Sequence, residues 1–309
     1  MPELPEVETI VQDLKTKISG HKILGVDSDW PKIVKEPDYK KFKREIRGLI
    51  IENIERKGKN IVIYLSQNKV LLIHLKMTGH PLVSTCWEFT NAKLKKKNLE
   101  ECQELDAIDK DPQNRFIHIG FSLDKGKSLL LSDLRKFASI KLTDKEKLSE
   151  ILKDLGPDAM DNDLNFETFK RILQKEKKEI KKILMDQTKI AGIGNIYSDE
   201  ILFDAKINPE KRINLLTPSE IKIIYHSMKK ILKEAIKRRG TSISDFRDTA
   251  GEKGFYGDIR KVYRRTDEPC PKKCGGTIKR VTIGGRSAHF CPKCQQLDSL
   301  TKQIGNIKK

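Results

Sequence analysis

Four cysteines near the C-terminal end constrain this chain more than any other feature. Cys270-x3-Cys274 is followed, after sixteen intervening residues, by Cys291-x2-Cys294. Paired cysteines at this spacing nearly match a zinc ribbon, with one extra residue in the first knuckle. Gly275, Gly276 and Pro292 supply the tight turns that let backbone amides face thiolates. Two disulfides are the alternative. They are disfavoured in a reducing compartment, and no basic segment followed by an apolar stretch stands at the N-terminus, so a cytoplasmic protein is expected. One structural Zn2+ on four thiolates follows, with no open position for catalysis. Cys86 and Cys102 carry no ligand-like spacing and read as ordinary thiols.

The second distinctive stretch is Met1-Pro2-Glu3-Leu4-Pro5-Glu6-Val7-Glu8-Thr9, which opens an apolar stripe of Val7, Ile10, Val11, Leu14 and Ile18. That spacing predicts an amphipathic helix with one face turned inward. Pro5 suits the first helical turn, and Glu6 and Glu8 complement the positive end of the helix dipole. A helix start explains all of this except the proline at position 2. If Met1 is trimmed, Pro2 presents a secondary amine, and α-amino groups titrate at about 7.7–8.0. Such an amine can attack an electrophilic carbon and form an iminium with a sugar aldehyde. Glu3 stands beside it as a proton donor or acceptor.

Short β-rich runs follow at 23–26, 50–54, 60–65, 70–75, 115–123 and 128–131, the spacing of a sandwich or flattened barrel. Residues 91–114 are highly charged without a strand period and read as an exposed insertion, a loop or a short helix. Gly156-Pro157-Asp158 marks a boundary, and helical patterns then occupy 166–176, 178–185, 196–203 and 218–239. Thr217 and Glu220 form a capping box around Pro218, and Gly240 ends that helix. Gly192-Ile193-Gly194-Asn195 sits between two helices. It is either a phosphate-approaching turn or a tight interhelical turn with Asn195 as N-cap. Lys and Arg outnumber Asp and Glu by 62 to 44, a net charge of +18, which favours a polyanion. Nucleic acid comes first and an anionic membrane surface second. No run of about 18 apolar residues suggests a transmembrane helix.

Taken together, these stretches resemble the bacterial formamidopyrimidine-DNA glycosylases. The first nine residues are similar to that family's N-terminus. Gly192-Ile193-Gly194-Asn195-Ile196-Tyr197 with Asp199-Glu200-Ile201-Leu202-Phe203 looks like its helix–two-turn–helix element, and the four cysteines look like its zinc finger. The resemblance implies an α+β chain in three parts. These are a β-sandwich catalytic domain with an N-terminal helix at 1–147, a helical helix–two-turn–helix domain with a lesion-covering loop at 148–262, and a zinc finger with tail at 263–309. It implies a monomer that grips DNA between its domains.

The resemblance also assigns roles. Pro2 is the nucleophile and Glu3 the acid that assists sugar ring opening. Lys59 is the catalytic lysine, although a strand-end lysine beside Lys57 could look the same. Arg286, in Gly284-Gly285-Arg286-Ser287, is the hairpin arginine linked to δ-elimination. Met77 fills the void left by an extruded base, and Arg135 and Phe137 face the orphaned cytosine and wedge the stack. Core packing is the alternative for Met77 and Phe137. Lys181 and Asn195 resemble phosphate contacts. Residues 240–260 resemble a flexible loop over the lesion. The implied activity is a bifunctional glycosylase and abasic-site lyase acting on 8-oxoguanine and formamidopyrimidines in duplex DNA through a proline Schiff base and β,δ-elimination. Departures are the longer first knuckle, Leu134 where proline is common, Phe116 in place of a histidine, and the 91–114 insertion. The rivals are a zinc-bearing protein that binds DNA without cutting it, and a glycosylase for pyrimidine lesions.

Overall fold

The computed structural model describes residues 1–90, 93–97, 102, 111–243 and 245–297. The chain divides into two compact units, Met1–Lys153 with Ile236–Gly257, and Asp154–Ala235 with Asp258–Lys309.

The first unit opens with α1 (Leu4–Ile18), followed by β1 (Ile23–Ser28), a 3-10 turn at Pro31–Ile33, β2 (Val34–Glu36) and α2 (Tyr39–Ile46). Then come β3 (Ile51–Lys57), β4 (Asn60–Leu65), β5 (Lys69–His74), β6 (His80–Ser84), β7 (Trp87–Thr90) and β8 (Lys93–Lys96). The last elements are β9 (Ile117–Leu123), β10 (Ser128–Ser132), β11 (Ser139–Asp144) and α3 (Lys145–Ile151). One sheet runs β1-β9-β10-β6 and the other β2-β11-β5-β4-β3. Every pairing in them is antiparallel except β11 with β2.

Period-2 alternation sets which residues face the shared core. On β9 and β10, Ile119, Phe121, Leu123, Leu129 and Leu131 point inward. Ile61, Ile63 and Leu65 do so on β4, and Leu71 and Ile73 on β5. The intervening Leu130 packs outward on Leu82, and Val62 on Val70, Leu72 and Leu148. The expected stripe of α1 seals this core, with Val7, Ile10, Val11, Leu14 and Ile18 all buried. Phe121 meets Phe42 of α2 edge-on at 6.2 Å. Deleting its ring costs about 3–5 kcal/mol.

Residues 91–114 begin differently from the expected loop or helix, because Lys93–Lys96 pairs antiparallel with Trp87–Thr90 as a hairpin. Residues 91–92, 98–101 and 103–110 of that stretch lie outside the described residues.

The domain limits expected at 147/148 and 262/263 differ from the compact units. Residues 236–257 belong with the first unit because their polar groups find partners there. Thr241 N donates to Glu6 at 2.7 Å, and Arg239 bonds Asp13 at 2.6 Å. Arg247 pairs with Asp111 at 2.6 Å. Val83 N donates to the Thr249 carbonyl at 3.0 Å, which covers the otherwise open edge of β6. Phe246 enters the sandwich core. The expected flexible loop is therefore tied down over 245–252; Ser244 lies outside the described residues.

The second unit holds α4 (Phe166–Gln174), α5 (Ile180–Met185), α6 (Asn195–Ala205), most of α7 (Pro218–Lys237), and the hairpin β12 (Lys279–Ile283) with β13 (Arg286–Phe290). A one-turn helix α8 (Tyr256–Ile259) carries the chain back into this unit. The capping box of α7 is present: Glu220 accepts from Thr217 N at 2.8 Å and Thr217 Oγ1 from Glu220 N at 3.2 Å. Helix α6 is buried nearly all round, and its Phe203 packs against Val262, Cys270, Ile278 and Cys291. Its Glu200 accepts the backbone amides of Lys261, Val262 and Tyr263 at 2.8–3.0 Å. Burial nevertheless pushes that carboxyl above its usual range.

Candidate functional site

Pro2 is buried immediately ahead of α1, and Glu3 is its N-cap residue, 1% exposed. Glu6 reaches back to accept Glu3 N at 2.7 Å, closing a capping box, and its other oxygen accepts Thr241 N at 2.7 Å. The chain makes room for that carboxylate at Gly240, whose φ is +78° and where a Cβ would sit 2.8 Å from Glu6 Cγ. The start of the helix is thus held from both ends of the first unit's sequence.

From α1, Glu8 accepts from Arg56 Nε at 2.7 Å, and Arg56 Nη1 donates to the Gly58 carbonyl at 3.1 Å. This ties the helix to the β3–β4 turn, where Lys57 pairs with Asn60 around Gly58 and Lys59. Gly58 takes φ +59°, the positive value a type II′ hairpin needs first. Lys57 is exposed, whereas Lys59 is 8% exposed, which separates it from an ordinary strand-end lysine.

Beside Lys59 stands a residue that reading the sequence missed. His74 lies opposite Asn60 in the β4–β5 register, and its Nδ1 accepts from Lys76 N at 2.9 Å. Burial first, then the charges of Lys76 and Lys59, hold its pKa at about 4. The ring is neutral near pH 7, with its proton on Nε2. The only trace in the sequence was a polar residue ending an apolar strand.

Met77, Arg135 and Phe137 come together. Arg135 Nη1 lies 3.1 Å from Met77 Sδ, and its guanidinium stands 4.7 Å from the Phe137 ring centroid. Phe137 is 49% exposed, so it is no core residue; Met77 is half-buried and Arg135 exposed. Two loops carry these side chains. Gly79 lets them meet, since a Cβ there would lie 2.6 Å from Leu75 O and 3.2 Å from Ala138 Cβ. Buried Asp133 organises the second loop. It accepts from Thr78 Oγ1, from Arg135 N at 3.3 Å and from Ala138 N at 2.7 Å.

The second unit holds the remaining candidates. Gln187 clamps the glycine turn, accepting from Gly192 N at 3.0 Å and donating to Ile193 O at 2.7 Å. Gly194, not Asn195, is the N-cap of α6. Asn195 is the first helical residue and turns its amide to Ser287 Oγ at 3.2 Å, one position from exposed Arg286. Its Oδ1 is buried without a hydrogen-bond partner.

The expectation of Lys181 as a phosphate contact is corrected. Its ammonium is fully buried and paired with Asp199, and it donates to Ser198 Oγ at 3.0 Å. Asp199 also accepts from His289 N and Nδ1, each at 2.9 Å. A buried charge needs a partner, and Lys181 has spent its charge on α6. It acts from beneath, fastening α5 and α6 to the strand that starts at Arg286.

The Sγ atoms of Cys270, Cys274, Cys291 and Cys294 lie within 4.8 Å of one another. Cys270 and Cys294 are 3.7 Å apart, and Cys274 and Cys291 3.5 Å. Tetrahedral zinc with Zn–S of about 2.3 Å places sulfurs about 3.8 Å apart, so the residues fit the metal. Gly276 is required, since a Cβ there would come within 2.9 Å of Cys291 Sγ. The extra knuckle residue is absorbed by a left-handed Lys273, φ +53°, before Gly275 at +71°. Hydrogen bonding from Cys294 draws the Cys274 thiol down to about 7, while burial pushes Cys294 up to about 12. Such a set ionises fully only around a cation.

Three family models match this chain. They are the formamidopyrimidine-DNA glycosylase N-terminal domain over residues 1–140, its H2TH domain over 155–247, and a zinc finger found in FPG and IleRS over 267–297. The formamidopyrimidine-DNA glycosylase of Pelotomaculum thermopropionicum is 38% identical over 299 residues, covering 96% of this chain and 100% of that protein. The chain belongs to the formamidopyrimidine-DNA glycosylase family. A Streptococcus pneumoniae member is 35% identical over 300 residues. Among solved structures, Lactococcus lactis Fpg with abasic-site DNA matches at TM-score 0.81 and 33% identity, covering 96% of this chain and 100% of that one. MutM with DNA containing carbocyclic 8-oxo-G matches at 0.80 and 32%, with the same coverage. Family membership and the cysteine cluster together make this a chain with one structural zinc site. Among the described residues no helix is long and apolar enough to cross a membrane.

Proposed function

We propose that this chain is a bifunctional DNA glycosylase and abasic-site lyase of base excision repair, acting on oxidised purines in duplex DNA. The observation that carries the reading is the N-terminal knot, in which Pro2 and Glu3 are held buried at the mouth of α1 by Glu6, Gly240 and Thr241. A helix N-terminus carries partial positive charge, which disfavours a protonated amine at residue 2 and favours the free base a nucleophile needs.

With Met1 removed, the Pro2 nitrogen attacks C1′ and the damaged base leaves with the glycosidic electron pair. Glu3 donates a proton as the sugar ring opens, and an iminium forms between Pro2 and C1′. Loss of a C2′ proton expels the 3′ phosphate, and a second elimination expels the 5′ phosphate. Hydrolysis of the iminium returns the amine. Lys59 and the Nε2–H of His74 supply donors for a phosphate from the first unit. The second unit presents phosphate donors of its own, exposed Arg286 and half-buried Asn195. Met77 and Phe137 fill and wedge the stack where the base is extruded, and Arg135 faces the base left behind.

The relatives solved with abasic-site DNA and with 8-oxo-G analogue DNA support this choice of substrate. Borohydride trapping on an 8-oxoguanine:cytosine duplex, with mass mapping of the cross-linked peptide, tests it. An adduct on residue 2 is expected. An adduct on Lys59 would keep the enzyme and remove Pro2 as nucleophile. Tight binding with no adduct, the N-terminus being proline, would favour a binding protein. Pro2→Gly should keep lesion binding while excision collapses.

A further inference from the structure

Met77 and Phe137 line a pocket of about 460 Å³ whose wall also includes Met1, Trp30, Lys35, Lys76 and Lys136. Its aromatic and thioether surfaces are interleaved with three cations, and no carboxylate lines it. The roles given to Met77, Arg135 and Phe137 leave Trp30 and Lys35 unexplained.

Trp30 is firmly placed. It is half-buried, its ring packs partly on the sandwich core, and the edge of His118 meets it at 6.4 Å and 72°. His118 is held by Asp29 at 2.9 Å, and Trp30 N donates to Ser28 Oγ at 3.0 Å. Lys35 is exposed by comparison. Its exposed ammonium stands 5.7 Å from the indole centroid and donates to the Lys32 carbonyl at 2.8 Å. An exposed cation–π contact is weak beside base–aromatic stacking, so a nucleobase displaces the ammonium from the indole. The freed ammonium is then positioned for that nucleotide's own phosphate.

We propose that Trp30 and Lys35 form a second nucleotide-binding element, with the indole stacking on a base that flanks the lesion and Lys35 pairing with its phosphate. Phe137 and the indole line the same pocket, so a base displaced beside the wedge meets a second aromatic face there. The inference rests on the DNA-repair reading above.

The chain has two tryptophans, Trp30 and Trp87, so Trp87→Phe leaves Trp30 as the only indole. That variant is titrated with a duplex carrying a tetrahydrofuran abasic analogue opposite cytosine, following indole emission and the anisotropy of labelled DNA together. Stacking predicts saturable quenching with the same midpoint as the anisotropy. Trp30→Leu should weaken binding about tenfold and Trp30→Phe much less. Lys35→Met should lower the log–log salt slope by about one. Emission unchanged at DNA saturation overturns the proposal, as does a folded Trp30→Leu chain that binds like wild type. If Trp30→Leu does not fold, the emission titration decides alone. If the unsubstituted chain neither binds nor excises a lesion, the glycosylase reading falls and takes this element with it. Normal excision with a silent Trp30 removes only the element.

Discussion

At the scale of single residues, the site depends on groups whose neighbours leave them no alternative state. Gly240 has φ +78° and no space for a methyl beside Glu6, so Gly240→Ala strains the backbone and displaces the carboxylate. A loss of about 1–3 kcal/mol in urea unfolding is expected, with a fall in excision beyond what stability explains. Glu6→Gln should weaken the same knot while keeping its shape. His74 offers a pH test. Burial, Lys76 and Lys59 lower its pKa from 6.5 to about 4. As pH falls through 6.5 the unfolded chain takes up a proton that the folded chain refuses until about 4. Stability held above pH 6.5 is therefore lost toward pH 4, by about 3 kcal/mol in all. Urea titrations at pH 7 and 4.5 should show the loss, and His74→Gln should remove that part of it.

At the scale of elements, the loops that carry Met77, Arg135 and Phe137 are held by a buried acceptor. Asp133 joins Thr78 on one loop to the amides of Arg135 and Ala138 on the other. Asp133→Ala leaves those donors unsatisfied and should cost about 2–4 kcal/mol in thermal or urea unfolding. If the loop serves recognition, discrimination among bases opposite the lesion should fall further than excision itself. In the second unit, Asp199 does the same for the β12–β13 hairpin through His289, and the buried charge of Lys181 balances it. Lys181→Met should destabilise by about 3–5 kcal/mol, because it strands a buried carboxylate, and should leave the salt slope of DNA binding nearly unchanged. A phosphate-contacting lysine would instead lower that slope by about one.

At the scale of the whole molecule, a net charge of +18 is the electrostatic background for any nucleic-acid partner. Affinity for duplex DNA should fall with salt, with a log–log slope of about −0.9 for each phosphate neutralised. A salt-insensitive affinity would count against DNA as the partner. Chelation of the metal should unfold the cysteine hairpin that presents Arg286 and sharply reduce lesion binding, and added Zn2+ should restore both.

What the sequence determined by itself is whatever short-range spacing encodes. The four cysteines, the stripe of α1, the capping box of α7 and the alternation in β4, β5, β9 and β10 all rest on bond geometry or helical and strand periods within a few residues. Short elements escaped that reading. α2, β2, β6, β11 and the β7–β8 hairpin are each eight residues or fewer, too short for their spacing to stand out, and tertiary pairing decides them. Tertiary structure alone decided three further matters. It placed Thr241 on Glu6, 235 residues away in sequence. It moved residues 236–257 into the first unit, because their donors and acceptors are satisfied there. It buried Lys181, which in the sequence is one lysine among many, because a matching carboxylate waits on α6. Each depends on which groups meet across long separations, and no local pattern of residues carries that information.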